Sequence, residues 1–126
     1  MPSFNQDSKN NRIKTGRSYE KLAAKFFEQK KFTIIERNYQ AGHKEIDLIA
    51  KKENLVIFVE VKSASNLKFG HPVERVDKKK IHNLSQAALG YLQKNNFANC
   101  DFRFDVVTFT NGELEYFPNA FEFTED

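Results

Sequence analysis

Three residues in the middle of the chain stand out by polarity: Asp47 within EIDLIA (Glu45 to Ala50), and Glu60 and Lys62 within LVIFVEVK (Leu55 to Lys62). Both runs are otherwise apolar and rich in β-branched residues, the pattern of strands buried on both faces. A carboxylate inside such a run carries a desolvation cost that a partner has to offset. A hairpin loop centred on Glu53 and Asn54 makes facing residues sum to 107 in number, which sets Asp47 opposite Glu60. Directly opposed Cβ atoms lie roughly 4.5–5.5 Å apart. Two carboxylates at that distance repel, and one protonates unless a cation lies between them. A hard divalent cation meets the need, because Mg²⁺ is usually held by one or two carboxylates together with water and phosphate. Lys62 follows Glu60 by two positions, so strand alternation puts both on one face. The chemistry on offer is a pair of metal-binding carboxylates beside one ammonium.

The elements that must position this hairpin follow from hydrophobic period. From Thr15 to about Lys30, Tyr19, Leu22, Ala23, Phe26 and Phe27 repeat at helical spacing and predict an amphipathic helix on a sheet. Phe32 to Asn38 alternates and predicts a first strand at or beside the sheet edge, followed by a loop from Asn38 to Lys44 in which Gly42 is free to take positive φ. Ser63 to Pro72 is a polar loop leaving Lys62, where substrate contacts are expected from Lys68 and His71, and Phe69 offers either a stacking face or packing under the loop. A second helix spans Asp77 to about Gln93, with Ile81, Leu84, Ala88, Tyr91 and Leu92 as its buried stripe and Asp77 as its cap. Lys78, Lys79 and Lys80 fill its first turn, where the helix dipole disfavours positive charge, which points to phosphate as their partner. Cys100 to Phe109 alternates strictly, and Asn111-Gly112 signals a hairpin returning through Leu114 to Phe117. The expected architecture is α/β, a mixed sheet flanked by helices.

Composition sets the frame around that core. At 126 residues the chain makes one domain: a disordered arm over 1–13, a folded unit over 14–118 and a frayed acidic tail over 119–126. Lys and Arg number 20 against 17 Asp and Glu, a net +3 that suits an anionic partner, with basic residues gathered at Lys9, Arg12, Lys14, Arg17 and Lys21 as well as in the lysine triplet. A single cysteine, Cys100, excludes a disulfide framework and a cysteine-rich zinc site. No apolar run approaches the roughly 20 residues that span a bilayer, so no membrane partner and a cytoplasmic location are expected. The 13 Phe residues fall mostly at core-facing periods and read as packing, while Phe121 and Phe123 form an exposed patch that a homodimer could use.

The Asp followed by Glu-x-Lys on the next strand resembles the active-site signature of the PD-(D/E)XK nuclease superfamily. Further blocks narrow the likeness: Gly16, Tyr19-Glu20, Ala23-Ala24, Arg37-Asn38-Tyr39, Glu45 to Ala50, Phe58 to Lys62 and Arg103 to Val107. In that order they resemble the YraN-like family of small bacterial proteins, over about residues 15 to 110, similar in fold to archaeal Holliday-junction resolvases. The resemblance implies a restriction-endonuclease-like fold and a metal-dependent endonuclease hydrolysing DNA phosphodiester bonds, with branched DNA as a candidate substrate. It implies Asp47, Glu60 and the carbonyl of Val61 as ligands of a magnesium or manganese ion, Mg²⁺ or Mn²⁺, and Lys62 as the group that positions the attacking water. It places Glu20 over the metal site, whereas its local alternative is the helix dipole and Arg17. His43, Lys44, Lys68 and His71 are candidate nucleic-acid contacts by their loop positions, with simple solvation the alternative for His43, and the family keeps a basic residue near Lys79 or Lys80. Lys44 stands where a glycine usually precedes Glu-Ile-Asp, and Gln40 and Ala64 replace common arginines. Two other accounts stay open: a catalytically silent nucleic-acid-binding module, and a structural set in which Lys62 pairs with Glu60 or Glu45 and Asp47 is protonated. For Arg103 and Asp105 the local alternative is a salt bridge supporting the sheet.

Overall fold

A computed structural model describes residues 8–64 and 78–123, with residues 8–16 defined by their backbone alone. Helix α1 (Ser8–Gln29) leads into a meander of β1 (Thr33–Ala41), β2 (Lys44–Lys52) and β3 (Leu55–Ala64); α2 (Lys78–Lys94) then crosses over to the hairpin of β4 (Asp101–Thr110) and β5 (Glu113–Phe121). The strands lie in the order β1-β2-β3-β4-β5, antiparallel throughout except for the central β3 and β4. A parallel pair needs a long return connection, and α2 supplies it. The mixed sheet with a helix on each face agrees with the restriction-endonuclease-like class.

Tight turns fix the register. Glu53 takes φ 53° in the two-residue loop between β2 and β3, and the pairs from Leu48 with Val59 to Lys52 with Leu55 all sum to 107, as the sequence predicts. Asn111 and Gly112 both take positive φ, which matches the twist of the strands they join.

Each sheet face carries its own core. Ala23, Ala24 and Phe27 of α1 pack on Leu48, Ala50, Ile57, Val59, Val107 and Phe109. On the other face Leu84, Ala87, Ala88, Tyr91 and Leu92 of α2 pack on Ile46, Ile49, Val56, Phe58 and Phe104. Cover on both sides is why β2 and β3 read as near-continuous apolar runs. A bulge between Ile34 and Glu36 turns neighbouring Ile35 and Glu36 to the same side, Ile35 into the α2-side core and Glu36 to accept the Tyr91 hydroxyl.

Several expected boundaries shift. The helix starts at Ser8, so the backbone of 8–13 prolongs α1 instead of forming a separate arm, since a packed helix gains one hydrogen bond for each residue it adds. Leu22 is 48% exposed and outside the stripe, because it lies about 120° around the helix from a face centred near Ala23 and Phe27. Asn38 to Ala41 is strand, leaving Gly42 (φ 67°) and His43 as the whole turn. Strand β5 runs on to Phe121, through the start of the expected frayed tail. Phe121 stacks on Phe104 and Phe123 meets Phe102 edge-on, so both belong to the α2-side core and form no exposed patch. Residues 1–7 and 124–126, Asp77 and the loop with Lys68, Phe69 and His71 lie outside the described residues.

Candidate functional site

Residues two apart along a strand normally share a face. Ile46 belongs to the α2-side core and Leu48 to the α1-side core, so the pleat of β2 breaks at Asp47. Strand β1 breaks beside it: Arg37 lines a cleft with Leu48, whereas Tyr39 meets Tyr91 of α2 edge-on. Register pairs Arg37 with Leu48 and Tyr39 with Ile46, which leaves Asn38, at φ 50°, across from Asp47. The ladder between β2 and β3 ends at Leu48 and Val59, and beyond it the Val61 N–H donates to Asp47 Oδ2 at 2.8 Å. A side-chain oxygen thus takes an amide that a regular ladder would give to a main-chain carbonyl.

Glu60 is 9% exposed and turns toward α2. Lys80 Nζ lies 2.6 Å and Lys62 Nζ 3.9 Å from its Oε1. A cleft of about 290 Å³ opens here, lined by His43, Lys44, Glu45, Asp47, Glu60, Lys80, Asn83 and Leu84. A second, of about 540 Å³, is lined by Arg17, Glu20, Lys21, Arg37, Asn38, Glu45 and Leu48. Glu45 borders both.

The charges are strongly coupled. Burial, then the Glu60 carboxylate, push the Asp47 carboxyl up from 3.8 to about 7; Glu20 and Glu45 add to this and the Val61 N–H works against it. Burial and the neighbouring Lys80 ammonium pull Lys62 below its ordinary 10.5, against the attraction of Glu60 and Asp47. Burial acts to lower Lys80 too, but its bond to Glu60 and the charges of Glu60 and Asp47 outweigh that and leave it above 10.5. The two lysines are thus pushed in opposite directions, Lys80 up by its bond to Glu60 and Lys62 down by burial and by Lys80.

His43, Lys44, Asp47, Glu60 and Lys80 line one cleft, and Lys62 lies beside Glu60. Val61 is there as well, engaged through its N–H. Glu20 lies in the neighbouring cleft, mid-helix because α1 begins at Ser8, and accepts a hydrogen bond from Asn38 Nδ2 rather than serving the helix start. Lys79 is exposed and lines neither cleft, so Lys80 is the lysine of that pair that reaches the site. Asn83 and the role of Asn38 emerge only in the structure. Pairing about the Gly42-His43 turn, by the arithmetic that joins Asp47 to Glu60, is the signal in the sequence that could have found Asn38.

Asp47 and Glu60, which line the same cleft, fit a hard divalent ion, because Mg²⁺ fills the rest of its shell with water and phosphate. Among the described residues no three His, Cys, Asp or Glu side chains converge, so the donor set is not that of a four-ligand structural site. No helix of the described residues is long and apolar enough to cross a membrane.

The sequence profile of the uncharacterised protein family UPF0102, which corresponds to the YraN-like resemblance, matches residues 19–109. A UPF0102 protein of Chloroherpeton thalassium is 43% identical over 98 residues, 78% of this chain and 76% of its own. One of Clostridioides difficile is 48% identical over 88 residues, 70% of this chain and 77% of its own. One of Dictyoglomus turgidum is 37% identical over 117 residues, 88% of this chain and 99% of its own.

Proposed function

The chain belongs to the UPF0102 family, and from that premise we propose that it is a divalent-metal-dependent nuclease hydrolysing phosphodiester bonds in DNA, with branched DNA as a candidate substrate. The observation that carries this reading is that half-buried Asp47 and buried Glu60 line one cleft together with Lys80, Lys44 and His43. A carboxyl held near 7 by burial and a second carboxylate is a site in want of a cation.

Asp47, Glu60 and the Val61 carbonyl would hold Mg²⁺ or Mn²⁺. When bound, such an ion supplies the charge that polarises the scissile phosphate and lowers the pKa of a water. Lys62 orients the attacking water and sets its ammonium against the negative charge that develops on the phosphate. Lys80 exchanges Glu60 for a phosphate oxygen and balances the charge that builds there. Lys44 and His43, which line one cleft, and Arg17, Lys21 and Arg37, which line the other, would grip flanking phosphates. Cutting both sides of a four-way junction takes two active sites, so the branched-DNA form of this reading brings a homodimer with it.

Wild type and Asp47→Ala incubated with Mn²⁺ and single-stranded, duplex or branched DNA test the proposal. Wild type is expected to cleave at least one, and Asp47→Ala to lose about 100-fold or more of that rate. Equal cleavage by both proteins would end this reading. The Glu60 to Lys80 pair, which neutralises a carboxylate without metal, favours a second account, a silent DNA-binding module. Equal DNA affinity for wild type and Asp47→Ala, with no cleavage in any divalent metal, would support it.

A further inference from the structure

Six described residues other than glycine take positive φ: Lys31, Asn38, Glu53, Asn96, Asn111 and Asn119. Lys31 follows α1, Glu53 and Asn111 lie in hairpin loops, Asn96 follows α2 and Asn119 falls near the end of edge strand β5. Asn38, at the sixth of nine positions in β1, and Asn119 lie inside strands, but Asn119 falls in the register shift of β5, whereas the β1–β2 ladder keeps one register across Asn38 from Glu36 to Ala41. Asn38 is also the cross-strand neighbour of Asp47.

We propose that Asn38 is the positioning residue of the site: its left-handed backbone breaks the shared pleat of β1 and β2 and turns the Asp47 carboxylate into the sheet plane, onto the Val61 N–H. The importance of this for metal binding rests on the nuclease reading; the positioning itself does not. In an unbroken pleat Ile46 and Leu48 would share one face and Asp47 would project from the other, perpendicular to the direction in which main-chain amides point. Instead Arg37 and Tyr39 part to opposite faces on β1, Ile46 and Leu48 do the same on β2, and Asn38 and Asp47 are the residues between. Asparagine is among the few side chains that enter the left-handed region readily. Its Nδ2 donates to Glu20 Oε2, which ties the break to α1 and gives the acid of that helix a job one step removed from the carboxylates. Glycine adopts the same backbone without strain, whereas alanine is driven back toward a regular strand.

The test compares wild type, Asn38→Gly, Asn38→Ala and Asp47→Ala by amide hydrogen exchange at Val61, with the other β3 amides as reference, and by calorimetric titration of Mn²⁺. Asp47→Ala sets the rate for a Val61 N–H that has lost its acceptor. The expected result is that Asn38→Ala speeds Val61 exchange about tenfold or more, with the rest of β3 unchanged, while Asn38→Gly stays near wild type. Mn²⁺ affinity then falls about 10- to 100-fold in Asn38→Ala and is kept in Asn38→Gly. Full Val61 protection in Asn38→Ala overturns the proposal, and so does an equal loss in Asn38→Gly, which would give the role to the side chain. If the exchange pattern appears and wild type binds no Mn²⁺, Asn38 still positions Asp47 and the metal reading falls; if wild type binds Mn²⁺ without the pattern, the reverse holds.

Discussion

Asp105 and Asp47 are both aspartates set in irregularities of the sheet, and their surroundings differ in one respect. Asp105 is 0% exposed and accepts Arg103 Nε at 3.0 Å, Arg103 Nη2 at 3.3 Å, the Asn119 N–H at 2.9 Å and the Tyr116 hydroxyl. That is a complete shell with its own cation, the structural salt bridge that the sequence offers as one reading of this pair. Asp47 has a backbone N–H and, among the described residues, no ion pair of its own, while it faces Glu60. Its folded carboxyl titrates near 7 and its unfolded one near 3.8, so the folded state binds the proton more tightly. The contribution of this group to the stability of the metal-free protein is therefore full below about 4 and lost as pH rises through 7, at most on the order of 4 kcal/mol. Asp47→Asn keeps an acceptor for Val61 and removes the charge. Urea midpoints measured in EDTA should rise for that variant at pH 8 and converge with wild type at pH 4; an unchanged midpoint at pH 8 would show that Asp47 is not held in this destabilised state.

At the scale of elements, α1 is anchored by its small residues and one ring. Ala23 and Ala24 let the helix approach the sheet closely, and Phe27, fully buried, meets Phe32 and Tyr116 edge-on. Phe27→Ala should lower stability by about 3–5 kcal/mol, and Leu22→Ala, on the solvent side, by less than about 1 kcal/mol. Chemical denaturation distinguishes them, and similar decreases would mean that the helix packs in another rotation. Spacing alone places Leu22 in the stripe because Leu22 and Phe27 lie within one wide apolar arc of the sequence. Which side of that arc meets the sheet is set by the shape of the surface under it. The same holds for α2, where three adjacent lysines are equivalent in sequence and the rotation of the helix sends Lys80 to Glu60 and leaves Lys78 and Lys79 exposed.

Across the whole molecule, basic side chains flank the Asp47 break on both sheet faces, Arg17, Lys21 and Arg37 toward α1 and Lys44 and Lys80 toward α2. A DNA strand crossing the end of the sheet would touch both groups. Arg37→Ala and Lys44→Ala should each weaken DNA binding and reduce the slope of log affinity against log salt by about 0.9 for every phosphate left without its cation. Filter binding across a salt series checks this, and a variant with an unchanged slope removes that face from the path. The sequence by itself determined the α/β class, the meander, the register of β2 on β3 as far as Leu48 and Val59 and the shared face of Glu60 and Lys62, because these follow from period and loop length, which are local. Tertiary structure alone decided that Lys80 completes the site, that Phe121 and Phe123 close a core, and that Asn38 and Asp47 break the pleat. Those outcomes depend on how helices rotate and strands bend against one another, and each is settled by packing between residues far apart in the chain.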